Sequence, residues 1–370
     1  MSMTLCLVAG ARPNFTKIAP LMRALHAHGE RINTRLVHTG QHYDHQMSDV
    51  FFSELGIPAP DVALGCGGGT HAEQTARIMI AFEQYLQQER PDWVVVVGDV
   101  NSTLACAIVA RKLHIRVAHV EAGLRSRDQS MPEEINRIVT DSIANLFFTT
   151  EPAGDANLLI EGHERTSIHF VGNLMIDNLL YQLDRMRTIP EDQLDPDGYR
   201  ARLLALGQGR YGAVTLHRPA NVDDPVCLSS LMNGINQLAA ELPLVFPIHP
   251  RTRKALERSK ITLHPNIVAT PPLSYLHFLY LWRQAAVVVT DSGGLQEETT
   301  AVGVRCVTAR DSTERPITIT RGSNILAGVD GESVLRHARN AQTLGPSDDW
   351  PDLWDGRAAE RIASVFLNLS

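Results

Sequence analysis

Short apolar runs without polar alternation, each followed by a helical pattern, constrain this chain more than any other feature. Trp93–Gly98 (WVVVVG) places five apolar residues in succession. A strand with one face in water alternates, whereas an unbroken run belongs to a strand covered on both faces, the condition of a parallel sheet. Thr4–Gly10, Thr34–Thr39, Val117–Val120 and Leu146–Thr149 read the same way. Helical spacing follows over Ile18–His28, Thr75–Glu89, Thr103–Leu113, Glu134–Asn145 and Ala153–Glu161. A second series alternates from Gly212–Leu216 through Leu244–Ile248, Ile267–Ala269 and Ala286–Thr290 to Arg305–Thr308, with helices over Leu228–Leu242, Tyr275–Gln284 and Gly293–Ala301. The chain has 370 residues, and domains usually run to about 100–200. The pattern therefore predicts an α/β protein of two Rossmann-like domains, residues 1–175 and 176–356, joined by a helix over Asn178–Arg187 and a polar stretch over Ile189–Gly198. Two doubly wound sheets in series predict a central cleft at the carboxyl ends of their strands, where such sheets bind ligands.

Composition excludes several classes. A net charge of −7 argues against a nucleic-acid partner, which calls for a basic surplus. No stretch approaches the ~20 apolar residues of a membrane span, and the first residues lack a signal peptide's basic region, so a cytoplasmic location is expected. None of the five cysteines forms a C-x-x-C pair. Cys6 and Cys106 sit in apolar runs and read as buried thiols. With no H-E-x-x-H and no compact His/Cys/Asp cluster, no metal is expected. The turn after the first strand, Gly10–Lys17, is neither Walker A nor G-x-G-x-x-G, so no nicotinamide cofactor is expected.

Several motifs stand where ligands bind. Gly10-Ala11-Arg12-Pro13-Asn14-Phe15-Thr16-Lys17 follows the first strand, with Arg12 and Lys17 placed to meet an anion; a plain turn carrying two surface cations is the alternative. Thr290-Asp291-Ser292-Gly293-Gly294 closes a strand and opens a helix. Ser292, Gly293 and Gly294 there offer a hydroxyl and backbone donors to a diphosphate, and Glu298, one turn on, suits ribose hydroxyls. A simple N-cap explains Ser292 but not two successive glycines. Asp99, Glu121 and Glu133 lie at or after strand ends of the first domain, where acid–base groups belong. Their alternatives are a helix cap for Asp99 and a dipole partner for Glu133. His217-Arg218-Pro219 and His249-Pro250-Arg251 put a histidine at two strand ends of the second domain. Arg315, in Thr313-Glu314-Arg315-Pro316, either points to phosphate or forms a surface bridge with Glu314.

In order along the chain, GARPNFTKIAPL, TGQHYD, VVVVGDVNST, HVEAGLRS, MPEEINR, VGNLMID, TLHRP, TDSGGLQEE and TERP resemble the non-hydrolysing UDP-N-acetylglucosamine 2-epimerase family. The resemblance implies a glycosyltransferase-B-type architecture, a last helix returning to the first domain (residues 357–370), a homodimer, a UDP-sugar substrate and no cofactor. It implies catalytic roles for Asp99, Glu121, Glu133 and His217. It implies nucleotide binding by Arg12, Ser292, Gly293, Gly294 and Glu298, and cleft positions for Lys17, Arg137, His249 and Arg315. The reaction implied is elimination of UDP across C1–C2 and its re-addition, converting UDP-GlcNAc to UDP-ManNAc. Three departures stand out: Ile317 after Thr313–Pro316, the lengthened Gln41–Gln46 segment, and the absence of arginine from Cys66–Thr70. They imply loss of activation by a second substrate molecule, or a related sugar such as a UDP-diacetamido-uronate.

Overall fold

The computed structural model describes residues 2–41, 52 and 54–369. They form two compact units: unit 1 is Met1–Leu180 with Asp352–Ser370, and unit 2 is Tyr181–Pro351.

In unit 1 the described elements are β1 (Met3–Ala9), α1 (Arg12–His26), β2 (Ile32–His38), β3 (Val62–Ala63), α2 (His71–Gln88), β4 (Trp93–Val97), α3 (Asn101–Lys112), β5 (Arg116–Val120), α4 (Pro132–Ile143), β6 (Leu146–Thr149), α5 (Pro152–Ile160), β7 (Ile168–Phe170) and α6 (Leu174–Met186). The strands pair in parallel in the order β3-β2-β1-β4-β5-β6-β7. Strand order reverses between β1 and β4, the point where a doubly wound sheet opens a crevice beyond its carboxyl edge. The unbroken apolar run of β4 is explained by its two covered faces. Trp93, Val95 and Val97 pack with Leu5, Leu7, Phe15 and Ile18. Val94 and Val96 pack oppositely, with Val8, Ile78, Phe82 and Cys106. All five cysteines are free, and burial pushes the Cys6 thiol up to about 12.

Unit 2 contains α7 (Glu191–Leu194), α8 (Tyr199–Leu206), β8 (Gly212–Thr215), α9 (Pro219–Val222), α10 (Pro225–Glu241), β9 (Leu244–Pro247), α11 (Pro250–Arg258), β10 (Ile267–Thr270), α12 (Tyr275–Trp282), β11 (Val288–Thr290), α13 (Gly293–Ala301), β12 (Cys306–Thr308), α14 (Ile317–Thr320), β13 (Asn324–Leu326) and α15 (Gly331–Thr343). Its sheet is also parallel, in the order β10-β9-β8-β11-β12-β13. The switch point falls between β8 and β11.

The chain then returns to unit 1 as α16 (Ala358–Leu369). The Asp177 carboxylate accepts from Ala358 N at 3.1 Å and Ala359 N at 2.7 Å, closing the helix N-terminus. Burial pushes that carboxyl up to about 6. The Phe366 ring lies 5.8 Å from Trp93 and 5.6 Å from Phe148.

Two expectations need correction. The first helix begins at Arg12, not near Ile18, because Pro13 occupies the first turn, where its missing N–H costs nothing. Asn14 fixes that start by accepting from Gly10 N at 3.0 Å and Ala11 N at 2.8 Å. The stretch 189–198 carries the one-turn helix α7 rather than a plain connection. Among the described residues, no helix is long and apolar enough to cross a membrane.

Candidate active site

In unit 1 the carboxyl ends of β1, β4 and β5 gather charged side chains. Lys17, one turn into α1, pairs with Glu121 beyond β5; the two residues are 9% and 5% exposed. Glu121 adopts φ +70, a left-handed conformation that costs a side-chain-bearing residue roughly 1–3 kcal/mol. Its N–H donates to Phe148 O at 3.0 Å, which holds the turn. Gly98 between β4 and Asp99 also has φ +69, and a Cβ there would lie 3.3 Å from Glu121 Oε2. The β4 exit therefore passes directly against the Glu121 carboxylate.

Asp99 does not cap α3, whose N-cap is Val100. It pairs with Arg137 of α4. Arg137 also meets Glu134 Oε2, 2.7 Å from Nη2. Glu134 accepts backbone N–H groups from Ser126 and Arg127, each at 2.9 Å. Burial opposes its charge, but these donors and Arg137 hold the carboxyl below its ordinary value. Glu134 is thus committed to holding the loop before α4. Glu133 lies in the first turn of α4, half-buried, and makes no hydrogen bond or ion pair among the described residues. Arg12 opens α1; its side chain lies outside the described residues.

Sequence reasoning missed a buried network beneath these groups. His119, in β5, meets Asp141 at 2.6 Å and the Gly98 carbonyl at 2.8 Å. Asp141 also meets Arg125 Nη2 at 2.7 Å and accepts from Gly123 N at 3.1 Å. His119 stands in the HVEAGLRS run, where a histidine amid buried strand residues was the available signal.

In unit 2, Asp291 organises the ends of β8 and β11. Its fully buried carboxylate accepts from His217 N at 2.9 Å and Arg218 N at 2.8 Å, and lies 3.0 Å from His217 Nδ1. Burial works against its ionisation, but the His217 ring and these N–H groups hold it below the usual carboxylate range. An anionic Asp291 accepts the Nδ1 proton of His217 and leaves Nε2 for other work. The His249 ring is 6.3 Å from that of His217. His249 Nδ1 accepts from Arg251 N at 3.2 Å, and burial, with His217 and Arg251, pushes this ring toward neutrality. Beside both histidines opens a hollow of about 170 Å³ whose walls include Phe278 and Leu273.

Ser292 is the N-cap of α13, yet its hydroxyl makes no capping bond. A Cβ on Gly293 would lie 2.9 Å from Glu314 Oε1. Glu314 and Arg315 do not form a surface bridge: both are buried. The Glu314 carboxylate lies 2.8 Å from Arg310, 3.4 Å from Arg315 and 3.6 Å from Arg218. Burial opposes its charge, but these guanidinium groups hold it well below the usual range. Arg315 also lies 2.8 Å from Glu297. Glu298 is buried deeper along α13 and accepts from Tyr275 Oη at 2.7 Å. Burial pushes its carboxyl up to about 8. Ser292 N donates to Thr290 Oγ1 at 2.9 Å, and the backbone N–H groups of Gly293 and Gly294 stand at the start of α13, a place where helix geometry favours an anion.

The segment without arginine, Cys66–Thr70, gains one through the fold: Arg77 of α2 donates to Gly67 O at 3.1 Å and also to Gly68 O. His42–Gln46 lie outside the described residues. No group of three or more His, Cys, Asp or Glu side chains among the described residues suits a metal.

Residues 23–367 match the model of the UDP-N-acetylglucosamine 2-epimerase family. The chain belongs to this family. A UDP-N-acetylglucosamine 2-epimerase of Methanocaldococcus jannaschii is 40% identical over 371 residues, covering 98% of this chain and 99% of the relative. A UDP-2,3-diacetamido-2,3-dideoxy-D-glucuronate 2-epimerase of Pseudomonas aeruginosa is 39% identical over 370 residues, covering 99% and 100%. Among solved structures, the M. jannaschii epimerase in complex with UDP-GlcNAc and UDP aligns with TM-score 0.87 at 39% identity, covering 99% of this chain and 100% of that one. The Neisseria meningitidis epimerase bound to UDP-GlcNAc aligns with TM-score 0.88 at 27% identity, over 99% and 100%. Two parallel α/β sheets are therefore the family's fold as well as this chain's.

Proposed function

We propose that this chain interconverts UDP-GlcNAc and UDP-ManNAc by anti elimination of UDP across C1–C2 and re-addition, without releasing free sugar. The observation that carries the proposal is the pair of ion-paired carboxylates, Glu121 with Lys17 and Asp99 with Arg137, at the switch point of the unit 1 sheet. Carboxylates in that place suit removal of the C2 proton from one face and its return to the other. Glu133, with no partner among the described residues, is a third candidate for this proton traffic. The C2 proton is weakly acidic, so the step is driven by departure of UDP. Ser292, Gly293, Gly294, Arg12 and Arg315 are assigned to the charge that develops on the leaving diphosphate. His217, oriented by Asp291, is assigned to that diphosphate, with His249 beside it. Glu298 is assigned to the ribose hydroxyls. The family's elimination–addition needs no redox cofactor, since the proton and the UDP that leave both return. A homodimer in the cytoplasm completes the proposal.

The test is wash-in at C2 of UDP-GlcNAc in heavy water, followed by NMR. Deuterium at C2, with UDP-ManNAc accumulating and no free ManNAc, is the expected result. Absence of exchange with every UDP-HexNAc tried would overturn it. The similarity to the P. aeruginosa enzyme favours a second reading, the same epimerisation on a UDP-diacetamido-uronate. A kcat/KM at least tenfold higher for that sugar than for UDP-GlcNAc would select it.

A further inference from the structure

We propose that His119 is held as an imidazolium that clamps together the loops bearing Asp99 and Glu121, and so acts as a positioning residue for the C2 chemistry. This inference rests on the epimerase reading above for its catalytic consequence, but not for the state of the ring.

The geometry starts from hydrogen-bond inventory. His119 is fully buried, so water satisfies neither ring nitrogen. Nδ1 faces Asp141 Oδ1 at 2.6 Å and Nε2 faces the Gly98 carbonyl oxygen at 2.8 Å. A carbonyl oxygen only accepts, and an ionised carboxylate only accepts. Neutral imidazole has one N–H and would aim a lone pair at the other oxygen. The imidazolium, with two N–H groups, satisfies both. Asp141 does not escape this by carrying the proton itself: its other oxygen lies 2.7 Å from the Arg125 guanidinium and accepts from Gly123 N. A carboxyl so placed is anionic.

Charge balance points the same way. The groups facing His119 and their own partners are Asp141 from α4, Arg125 and its partner Glu161, and Glu121 with its partner Lys17. Two cations stand against three carboxylates, and one positive charge on His119 cancels the remainder. Burial presses the ring toward neutrality, but Asp141, the Gly98 carbonyl and Glu121 more than offset it and raise its pKa.

The ring's position gives the charge a purpose. The Gly98 carbonyl that it holds immediately precedes Asp99. Gly98 N in turn donates to Val120 O at 3.0 Å, the residue before Glu121. His119 thereby bolts the β4 exit to β5 and α4 at the point where Asp99 and Glu121 leave the sheet. Both Gly98 and Glu121 have positive φ, so their turns are not the ones the chain would adopt unaided. Removing the clamp lets the carboxylates drift, and a shift of about 1 Å costs roughly 100-fold in rate.

Nitrogen NMR of the full-length protein carrying 15N-histidine reads the ring directly. Expected are imidazolium shifts at both His119 nitrogens from pH 6 to pH 9; a neutral tautomer at pH 8 would overturn the proposal. Asp141→Asn keeps the shape but removes the charge. It should leave His119 neutral at pH 8 and lower kcat for C2 exchange about 100-fold, with KM within threefold and the loss deepening as pH rises. His119→Gln should show the same split of kcat from KM without the added pH dependence. Unchanged kcat in both folded variants would refute the clamp. If wild-type protein shows no C2 exchange on either sugar, the epimerase reading fails, while the NMR result still decides the ring's charge.

Discussion

Glu298 makes the pH dependence of this fold measurable. Its carboxyl is raised from 4.5 to about 8, because burial in α13 strips it of water while Tyr275 supplies a single hydroxyl donor. At about 1.4 kcal/mol per pH unit, the gap between those values corresponds to about 5 kcal/mol. The sign follows from proton counting. Below the unfolded value near 4.5, both states carry the proton and folding feels no penalty. Between there and about 8 the unfolded chain gives up its proton while the folded one keeps it, so stability falls as pH rises. Above about 8 the loss is complete. Glu298→Gln keeps the size and cannot ionise, so it should match wild type near pH 4.5 and exceed it increasingly, by up to about 5 kcal/mol at pH 9. Urea unfolding across this range, followed through tryptophan fluorescence, provides the measurement; Trp282, 1% exposed, reports on unit 2. A difference between the two proteins that stays constant from pH 5 to pH 9 would refute the reasoning. UDP affinity provides a second check. If Glu298 takes the ribose hydroxyls, the Gln variant should bind UDP at least tenfold more weakly by calorimetry despite its greater stability.

Four further outcomes are expected. Glu121→Gln should reduce C2 exchange by at least about 100-fold while UDP affinity stays within threefold; exchange at the wild-type rate would remove Glu121 from the chemistry. Gly293→Ala puts a methyl 2.9 Å from the Glu314 carboxylate, so UDP titration should show weakening of about tenfold, near 1.4 kcal/mol. Glu314→Gln strips the countercharge from three guanidinium groups and should cost about 3 kcal/mol at pH 7; because its pKa is depressed, the loss seen in thermal melts should vanish as pH falls well below 4. UDP-ManNAc turnover should follow a simple hyperbola without added UDP-GlcNAc; a curve that needs UDP-GlcNAc would restore activation by a second substrate molecule.

Much of the fold was legible because strand burial writes itself into composition. The run over Trp93–Val97 alternates its side chains between two apolar layers, so it has no polar positions to show. The helix Gly293–Ala301 was marked by what stands before it, a strand end running into Ser-Gly-Gly. Elements of two or three residues, such as β3 and β13, carry too few positions for a period. The helix α11 was hidden because it is short and mostly charged. Charge partners were less legible than strand ends. Glu133 and Glu134 are equivalent acids in sequence, but helix phase turns Glu134 onto Arg137 and two loop N–H groups and leaves Glu133 without a partner among the described residues. The bond between His119 and Asp141 spans 22 positions and joins a strand to a helix, so no local pattern announces it. Glu314 and Arg315 looked like surface neighbours because adjacency in sequence says nothing of depth.

The return of α16 to unit 1 imposes an order on biosynthesis. Phe366 and Ile362 are fully buried among side chains of unit 1, and Asp177 waits for the backbone N–H groups of Ala358 and Ala359. A ribosome delivers those residues after the whole of unit 2. Unit 2 is contiguous and can close on itself during translation, whereas the sheet made first must keep one flank of its core uncovered until residues 352–370 emerge. The domain translated first is therefore the last to be completed.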